Sequence, residues 1–284
     1  DVPTDNISWA ELKVGVWGGS PSRVGWAETS LNGTTLSNET LDIIDPALNG
    51  VNVSCCGSGI YLIHYDCTDV VNNLNNGVIQ ARVVTQPNNG LGASRRLDGR
   101  VYGAVLIVVY EDGTSYTQYW INQGDLNLHK NATATIDNTS CSFEDLDSDT
   151  TWFNGTVNTS LTNSNLTVAY FAGDINQTDY LYFNVPDGDD SPYDLTNFNW
   201  DRDAWSGYLL GTDVANNMSN TAYNFDLKTF SVNMNTTGNN YAIFWRGHGS
   251  DDPYETEIYD PSWPGVNSET EGYYTPFLAV LTRH

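Results

Sequence analysis

The segment Val101–Tyr110, with the sequence VYGAVLIVVY, is the longest apolar run of the chain. It is rich in β-branched and aromatic residues, which favour strands, and this pattern predicts a buried central strand of a sheet. The turn sequence Glu111–Gly113 follows and leads into a second strand candidate, Tyr116–Ile121. Two strand patterns on either side of a short turn predict a β-hairpin.

Strand patterns continue through the rest of the chain, whereas long helical patterns are scarce. Clusters of Asn, Asp, Gly and Pro separate the candidates and are typical of turns. A short helix is expected at Asp69–Leu74. Many short strands between turn signals predict an all-β protein built of sandwiches, with very little helix. The further strand candidates are Ile60–Tyr65, Val78–Thr85, Leu166–Ala172, Tyr180–Val185, Tyr223–Met234, Tyr241–Arg246 and Tyr274–Thr282.

An internal similarity indicates two tandem sandwiches. Thr68–Asn76 parallels Thr212–Asn220, and an alternating strand pattern follows each copy. The alternative is a chance similarity between Asn-rich segments. If the similarity is a repeat, residues 1–130 form an N-terminal arm plus the first sandwich. Residues 131–284 then form the second sandwich, with an insertion near 247–272. The arm, Asp1–Leu41, is expected to pack on a neighbouring subunit.

The chain is strongly acidic, with a net charge of −24 from 35 acidic and 11 basic residues. A field of that sign repels phosphate backbones, so nucleic acid is not an expected partner. No apolar run approaches the roughly 18 residues of a membrane-spanning helix, so no membrane span is expected. If the chain is exported, we expect Asp1 to be the mature end left after removal of a signal peptide.

Twelve Asn-X-Ser/Thr sequons are spread over the chain. A sequon is useful only in a chain that is exported past a glycosylation machinery, so the twelve predict an extracellular glycoprotein with N-linked glycans. The alternative is that an Asn- and Thr-rich chain contains sequons by chance. The sequons begin at Asn6, Asn32, Asn38, Asn52, Asn131, Asn138, Asn154, Asn158, Asn165, Asn176, Asn217 and Asn235.

The four cysteines are Cys55, Cys56, Cys67 and Cys141. An even number in an exported chain predicts two disulfides. Adjacent cysteines bond to each other only with strain, so Cys67 is expected to pair with Cys55 or Cys56, and Cys141 with the other. Bridges between copies of the chain are a further alternative. No C-x-x-C pair supports a metal site at these cysteines.

Two acidic segments carry enough carboxylates to be candidates for a Ca²⁺ site, because Ca²⁺ takes six to eight oxygen ligands. Neither segment has the spaced glycine and distal Glu of an EF-hand loop, and the alternative is a pair of solvated acidic loops. The protein is not expected to require a cofactor, and Ca²⁺ is the one candidate. The candidate ligands are Asp145, Asp147, Asp149, Asp187, Asp189 and Asp190.

Signals for an enzyme are weak. The chain contains no H-E-x-x-H or G-x-S-x-G motif and no phosphate-binding glycine motif, and we expect no catalytic residues. His64 lies in a strand candidate and is expected to be a strand residue rather than a base. The loop Arg246–Asp252 collects polar groups but is typical of a solvated turn. Trp200 and Trp205 are the best candidates for stacking on a sugar, although most aromatic residues are expected to fill cores or contact neighbouring subunits.

Several motifs together resemble an uncharacterised domain family. The segment Tyr65–Val71 is similar to the "Y-D-V-T-x-L-V" turn of jelly-roll domains of the galactose-binding type. Val101–Asp112 with Tyr119–Gly124 resembles "Y-G-A-V-L-V-V-V-Y-E-D … Y-W-I-x-E-G", and Tyr180–Asn184 resembles a following "D-x-L-x-F-N" strand. The similarity covers about Asp42 to His284. Two positions depart from the pattern: Gln123 stands where Glu is expected and Cys67 where Val is expected.

The family that these motifs resemble occurs in surface proteins of methanogenic archaea. The resemblance implies two tandem jelly-roll-like β-sandwiches, an extracellular location and a sugar-decorated surface. It also implies a structural role in a sheath or S-layer, with other copies of the same chain as partners, and it brings no catalytic residues. The alternative is an extracellular carbohydrate-binding or adhesion module that acts as a monomer.

Overall fold

A computed structural model describes residues 6–19, 23–42, 51–53, 59–74, 78–125, 128–129, 132–136, 139–143, 148–171, 179–185, 208–212, 214, 225–245 and 273–284. Nearly all of the regular structure there is β-strand, which confirms the predicted all-β fold. The short helix α1, Thr68–Asn72, is also confirmed. The strands are β1 Ile7–Trp17, β2 Gly25–Leu31, β3 Thr34–Leu41, β4 Val51–Val53, β5 Ile60–Asp66, β6 Ala81–Pro87, β7 Arg100–Tyr110, β8 Gln118–Gln123, β9 Leu128–His129, β10 Ala132–Ile136, β11 Thr139–Phe143, β12 Ser148–Phe153, β13 Ser164–Phe171, β14 Tyr180–Phe183, β15 Leu209–Thr212, β16 Phe225–Ser231, β17 Asn240–Trp245 and β18 Tyr273–Arg283.

The N-terminal sandwich consists of two antiparallel sheets. Its inner sheet has the strand order β4-β5-β1-β7, and its outer sheet has the order β3-β2-β6. Side chains alternate across β1, so Leu12, Val14 and Val16 point toward the outer sheet and bury against Ala27 and Leu31 of β2. We call this buried layer the N-terminal core.

The C-terminal sandwich is built in the same manner. Its inner sheet has the order β16-β13-β18-β8, and its outer sheet has the order β12-β17-β14-β15. Leu166, Val168 and Tyr170 of β13 point into the C-terminal core, where they meet outer-sheet residues such as Leu181 and Phe244. The small strand β9 pairs with β18, and β10 and β11 form a separate two-stranded sheet.

The two inner sheets pack face to face and share a third core, the interface core. Leu62 of β5 meets Ala169 and Phe171 of β13 and Phe277 of β18 in this layer. The rings of Phe171 and Phe277 stack with their centroids 3.9 Å apart. Gly15 of β1 allows this packing, because a Cβ there would lie 2.1 Å from the Phe171 ring. The described strands therefore form four stacked sheets with three buried layers between them.

Two predictions about the opening segment are wrong. β7, which contains Val101–Tyr110, is not a central strand: it lies at the edge of its sheet and pairs with β1 alone among the described strands. β8 does not form a hairpin with β7 but pairs with β18 of the other sandwich, with Gln123 opposite Leu278. Strand patterns indicate where a chain is extended, but the partner depends on contacts distant in the sequence.

The N-terminal residues also differ from the prediction of an arm. Ile7–Trp17 forms β1, which pairs with both β5 and β7 at the centre of the inner sheet, and Gly25–Leu41 supplies two outer strands. The change from the first sandwich to the second comes after Tyr110, because β8 already belongs to the C-terminal inner sheet. The proposed insertion near 247–272 lies outside the described residues.

The predicted repeat is not visible in the sheet topology. β6 and β7 belong to different sheets, whereas their expected counterparts, β16 and β18, both flank β13 in one sheet. Most of Thr212–Asn220 lies outside the described residues. Two sandwiches are present, and the jelly-roll topology of each remains a prediction.

Candidate functional site

The outer side of β7 is the first candidate, because β7 pairs with β1 on one side and with no described strand on the other. Its residues Arg100–Val109 are all half-buried, and Tyr110 is 47% exposed. Val105 and Ile107 pack on the interface core, while Leu106 and Val108 pack on the N-terminal core. β7 therefore presents an apolar edge that is flanked by two cores.

Other edge strands carry features that discourage pairing with another chain. Charged side chains and proline are common devices of this kind. β6 contains Arg82 and Pro87, and β16 contains Asp226 and Lys228. Between Val101 and Tyr110 there is no charged residue and no proline. Features of this kind lie at the ends of β7: Arg100 begins the strand, and the register with β1 shifts near Val101 and again near Tyr110.

The edge of β8 is also uncharged, but side-chain hydrogen bonds cover it. Asn122 Nδ2 donates to Thr151 Oγ1 at 2.7 Å and to the Trp152 carbonyl at 2.9 Å. Trp120 Nε1 donates to the Asn154 carbonyl at 2.9 Å. These bonds join β8 to β12 and the residues after it, across the open side of the C-terminal sandwich.

A buried polar cluster lies between the two inner sheets and is the second candidate. The side chain of Lys13 is fully buried. Its Nζ donates to Glu11 Oε2 at 2.6 Å, to His64 Nδ1 at 3.0 Å and to the Oε1 of Gln123. Glu11 and Lys13 lie two residues apart on β1, and His64 lies opposite Lys13 on β5. Gln123, the exposed last residue of β8, reaches the cluster from the other sandwich.

Burial controls the protonation of this polar cluster. Desolvation lowers the pKa of Lys13, and the hydrogen bond and charge of Glu11 oppose that shift. Desolvation, with the nearby Lys13 charge, lowers the pKa of His64 to about 4. His64 is therefore neutral at pH 7, and its Nδ1 can accept a hydrogen bond from Lys13. The three acceptors match the three donors of a lysine ammonium group.

The sequence identified two members of this cluster without their role. His64 is a strand residue as predicted, on β5. Gln123 was noted as a departure from the pattern of the family. The missed signal is Lys13, a rare lysine of this acidic chain that lies in a strand with Glu11 on the same face. No sequence pattern could bring Gln123 to them from 110 residues away.

The sequons with described side chains are all accessible. Asn6, Asn32, Asn38, Asn154 and Asn235 are exposed, and Asn158 and Asn165 are half-buried. At Asn158 the side-chain oxygen accepts bonds from the Ser160 N–H at 3.0 Å and hydroxyl at 2.7 Å. Asn235 does the same with Thr237. In both turns the bonds engage the amide oxygen and not the nitrogen to which a glycan would be attached. The side chain of Asn52 on β4 is not described, and Asn131, Asn138, Asn176 and Asn217 lie outside the described residues.

The disulfide prediction is wrong at Cys67. Its thiol is free and buried in the N-terminal core, and burial, together with the charge of Asp66, raises its pKa to about 11. A buried thiol of this kind behaves as a small apolar group. Cys55 and Cys56 lie outside the described residues, and the side chain of Cys141 on β11 is not described.

The remaining predicted sites fall largely outside the described residues. Trp200 and Trp205 do so, as do Asp145, Asp147, Asp187, Asp189 and Asp190. Asp149 lies on β12, where desolvation raises its pKa. Within the described ranges, no group of three or more His, Cys, Asp and Glu side chains could hold a metal ion. In the same ranges, no helix is long and apolar enough to cross a membrane.

A different aromatic pair is exposed on the C-terminal outer sheet. Trp152 of β12 is 43% exposed, and its ring centroid lies 4.5 Å from that of Tyr241 on β17. The Tyr241 hydroxyl donates to the Val185 carbonyl, which fixes the position of its ring. This pair has the rigid, partly wet character of an aromatic contact surface.

Comparison with known proteins gives one family match. The family model described as "Protein of unknown function (DUF3344)" matches residues 1–283. No curated protein matches the chain. Among solved structures, a chain of the infectious bursal disease virus Gx strain matches with 11% identity and a TM-score of 0.17. That match covers 98% of this chain and 66% of the viral chain, and at so low a score it supports no argument about fold or function.

Proposed function

Because the chain belongs to the DUF3344 family, whose description assigns no function, we propose a role from its geometry and motifs: a structural, self-assembling, glycosylated subunit of an archaeal cell envelope. The envelope layer is a sheath or an S-layer outside the cell, and the partners are other copies of the chain. The role involves no catalytic turnover. The observation that carries this proposal is the edge of β7, which has no charged residue from Val101 to Tyr110 and no second pairing partner among the described strands.

A strand edge of this kind can pair with the same strand of a second copy. An antiparallel pair related by a two-fold axis perpendicular to the sheet keeps each face of the sheet on its own side. The N-terminal core of one copy would then continue into that of the next, and so would the interface core. Between the two register shifts, Gly103–Val109 is regular and offers a ladder of about 24 Å at roughly 3.4 Å per residue.

The aromatic residues after β7 offer a second contact, which a lattice or tube requires in addition to a dimer. Tyr110 is 47% exposed, Tyr116 is 66% exposed and Tyr119 is 46% exposed. Tyrosine is enriched at protein interfaces because it buries a large ring and keeps a polar end. Tyr110 ends β7, Tyr116 lies in the connection and Tyr119 lies on β8.

The distribution of sequons supports the same direction of assembly. β4 and β3 are the edge strands opposite β7 and β6 in the two sheets of the N-terminal sandwich. Asn52 lies on β4, Asn38 lies on β3, and Asn32 lies in the turn before β3. Glycans at these positions would shield that side, whereas no sequon falls within β7.

Electron microscopy of a charged variant tests the proposal. We expect the wild-type chain to form large ordered assemblies and Val105→Lys to remain dispersed, because the lysines of two paired strands would face each other. The matched control is Leu227→Lys, on an edge strand that already contains Lys228 and at a position that is 52% exposed. Assembly of Val105→Lys with wild-type morphology would exclude the β7 edge as the contact.

The competing role is an extracellular carbohydrate-binding or adhesion module, and the Trp152–Tyr241 pair is the observation in its favour. A module of this type should stay monomeric and bind sugars by stacking them on exposed rings. A glycan array with wild-type and Trp152→Ala proteins separates the roles. Sugar binding that is lost in Trp152→Ala, without any assembly of the wild type, would replace the structural proposal.

The proposed role requires no cofactor. Ca²⁺ at the two acidic segments is a separate proposal, and calorimetric titration of chelator-treated protein tests it. Binding heat and a raised melting temperature are expected for a specific ion. Without both effects, the segments act as solvated loops.

A further inference from the structure

The buried polar cluster contains the parts of a self-catalysed cross-link. An amine on Lys13, a carboxamide on Gln123 and a carboxylate on Glu11 meet around the fully buried Lys13 nitrogen, with Gln123 at the exposed end of β8. We propose that Lys13 Nζ and Gln123 Cδ form an intramolecular isopeptide bond that joins β1 of the N-terminal sandwich to β8 of the C-terminal sandwich. Glu11 is the group that transfers the proton.

The contact between the two reacting groups supports the proposal. Lys13 Nζ lies within hydrogen-bond distance of Gln123 Oε1, and the carboxamide carbon is one C=O bond, about 1.2 Å, from that oxygen. The nitrogen therefore lies beside the carboxamide, as effective intramolecular reactions require of their reacting atoms. Because both strands are held in separate sheets of one stack, the two groups cannot diffuse apart.

The surroundings favour loss of a proton from the Lys13 ammonium, which must become the neutral amine before it attacks. Lys13 is fully buried, and desolvation lowers its pKa, which raises the fraction of amine at neutral pH. Neutral His64 accepts a hydrogen bond from the same nitrogen at 3.0 Å and orients it. Glu11 Oε2, at 2.6 Å, is placed to remove a proton as the new bond forms.

The chemistry balances within these three side chains. Glu11 first takes one proton from the Lys13 ammonium. The lone pair of the resulting amine forms a C–N bond to Gln123 Cδ, and the carboxamide C=O pair moves onto oxygen. Glu11 gives its proton to the departing –NH2 group, which leaves as ammonia, and then carries one proton from the new bond's nitrogen to that ammonia. The C–NH2 bond of Gln123 breaks and the C=O bond re-forms. Overall, a lysine ammonium and a carboxamide give a secondary amide and one ammonium ion, with no oxidant and no other reactant.

The location explains what the bond would do. Lys13 and Gln123 are 110 residues apart, and the bond would cross the interface between the two inner sheets. It would make the four-sheet stack one covalently closed unit, in a part of the chain where Cys67 supplies no disulfide. The adjacent Glu11 and His64 would remain buried around a neutral amide.

Mass measurement of the full chain tests the proposal, with glycans absent or removed. The folded wild type should weigh about 17 Da less than its sequence requires, because one ammonia is lost. After tryptic digestion, the peptide that ends at Arg23 and contains Lys13 should remain joined to the peptide 101–130, which contains Gln123. Trypsin should not cleave after Lys13, because its amine is acylated.

Three variants separate the cross-link from other sources of the same mass loss. Lys13→Met should have the full sequence mass, whereas the control Lys228→Met should keep the loss. Glu11→Gln, with a side chain of nearly the same shape, should fold and remain uncross-linked. A succinimide at an Asn–Gly pair such as Asn32–Gly33 loses the same mass but joins no two peptides and persists in Lys13→Met.

Two results would overturn the proposal. One is a folded wild type of full sequence mass in which Lys13 and Gln123 appear in separate peptides, which would make the cluster an ion pair with a hydrogen bond. The other is a Glu11→Gln variant that cross-links as fast as the wild type, which would remove Glu11 as the proton-transfer group. Neither result depends on whether the protein assembles.

Discussion

β7, from Val101 onward, and β8 are both uncharged edge strands of the inner sheets. The two edges differ in the side-chain hydrogen bonds that reach them from the neighbouring outer sheet. β8 is joined to the neighbouring outer sheet by the side chains of Trp120 and Asn122. At β7, Thr85 Oγ1 of the outer strand β6 donates to the Gly99 carbonyl at 2.6 Å, and that bond lies just before the strand begins. Amide, indole and hydroxyl donors, rather than apolar content, therefore decide which edge is available to a second chain.

The comparison also separates two ways of using apolar surface. The side chains of β8 divide between two cores, with Trp120 in the C-terminal core and Ile121 in the interface core. Those of β7 divide in the same way, but its far side has no described neighbour to complete either core. An edge that is apolar on both faces is a template for pairing.

The largest expected effect comes from opening the β8 edge. Trp120→Ala removes a packed indole from the C-terminal core and the hydrogen bond to Asn154, and we expect a loss of about 3 kcal/mol in unfolding free energy. Denaturant unfolding measures it. The control Tyr119→Ala, at an exposed neighbouring position, should change the free energy by less than about 1 kcal/mol. Equal losses of unfolding free energy in the two variants would show that the hydrogen bond and core packing of Trp120 add no special stability to β8.

The polar cluster at Lys13 links β1, the strand paired with β7, to β8. It should make the unfolding free energy depend on pH. The folded-state pKa of His64 is about 4, below its usual 6.5, so the unfolded chain binds more protons between these values. Stability should be full above pH 6.5, fall as the pH drops toward 4, and lose up to about 3 kcal/mol. Burial is the largest cause of the lowered His64 pKa. Stability should therefore fall with decreasing pH even if Lys13 forms an amide. Denaturant unfolding of wild type and His64→Gln measures the slope, which should flatten in the variant; an unchanged slope would assign it to other groups.

A milder change to the β8 edge sharpens the comparison. Asn122→Ala removes two hydrogen bonds to β12 and should cost about 1–2 kcal/mol. Hydrogen exchange should accelerate at Thr151 and Trp152 and remain unchanged at β17. The matched substitution is Asn233→Ala, whose exposed side chain makes no comparable bond. Wild-type exchange in Asn122→Ala would mean that β12 holds its position without β8.

The smallest effect is expected where β7 begins. Thr85→Val removes the bond to the Gly99 carbonyl at nearly constant volume and should cost about 1 kcal/mol. It should also lengthen the free edge and increase self-association in sedimentation experiments. Thr167→Val, at a half-buried position on β13, serves as the control. A Thr85→Val variant that associates less than wild type would contradict the role given to the β7 edge.

The sequence predicted strands well and their neighbours poorly. Alternation and β-branched content correctly indicated extended structure at Val101–Tyr110, because these depend on residues close together in the chain. They could not indicate that β8 pairs with β18, since Trp120 and Leu281 are opposite each other only in the folded sheet. The prediction of an N-terminal arm failed for the same reason. A strand that occurs early in the chain can still occupy the centre of a sheet, as β1 does.

The candidate sites divide in the same way. Sequons are local patterns, and every one with a described side chain lies at the surface or half-buried. The cluster at Lys13 depends on strands from two sandwiches and leaves no local pattern, and the pairing predicted for Cys67 failed because an even cysteine count says nothing about distance. Composition thus predicted the exterior of the molecule better than its interior.

Gly15 gives the molecule a mechanical property. With no side chain at that position, the Phe171 ring lies directly against the backbone of β1, and the two sandwiches touch without a gap that could act as a hinge. A tensile load that enters through one sandwich must therefore pass into the other across a broad, stiff face. In an envelope layer of the proposed kind, the two sandwiches of one subunit would transmit strain as a single rigid body and would not move as two linked domains.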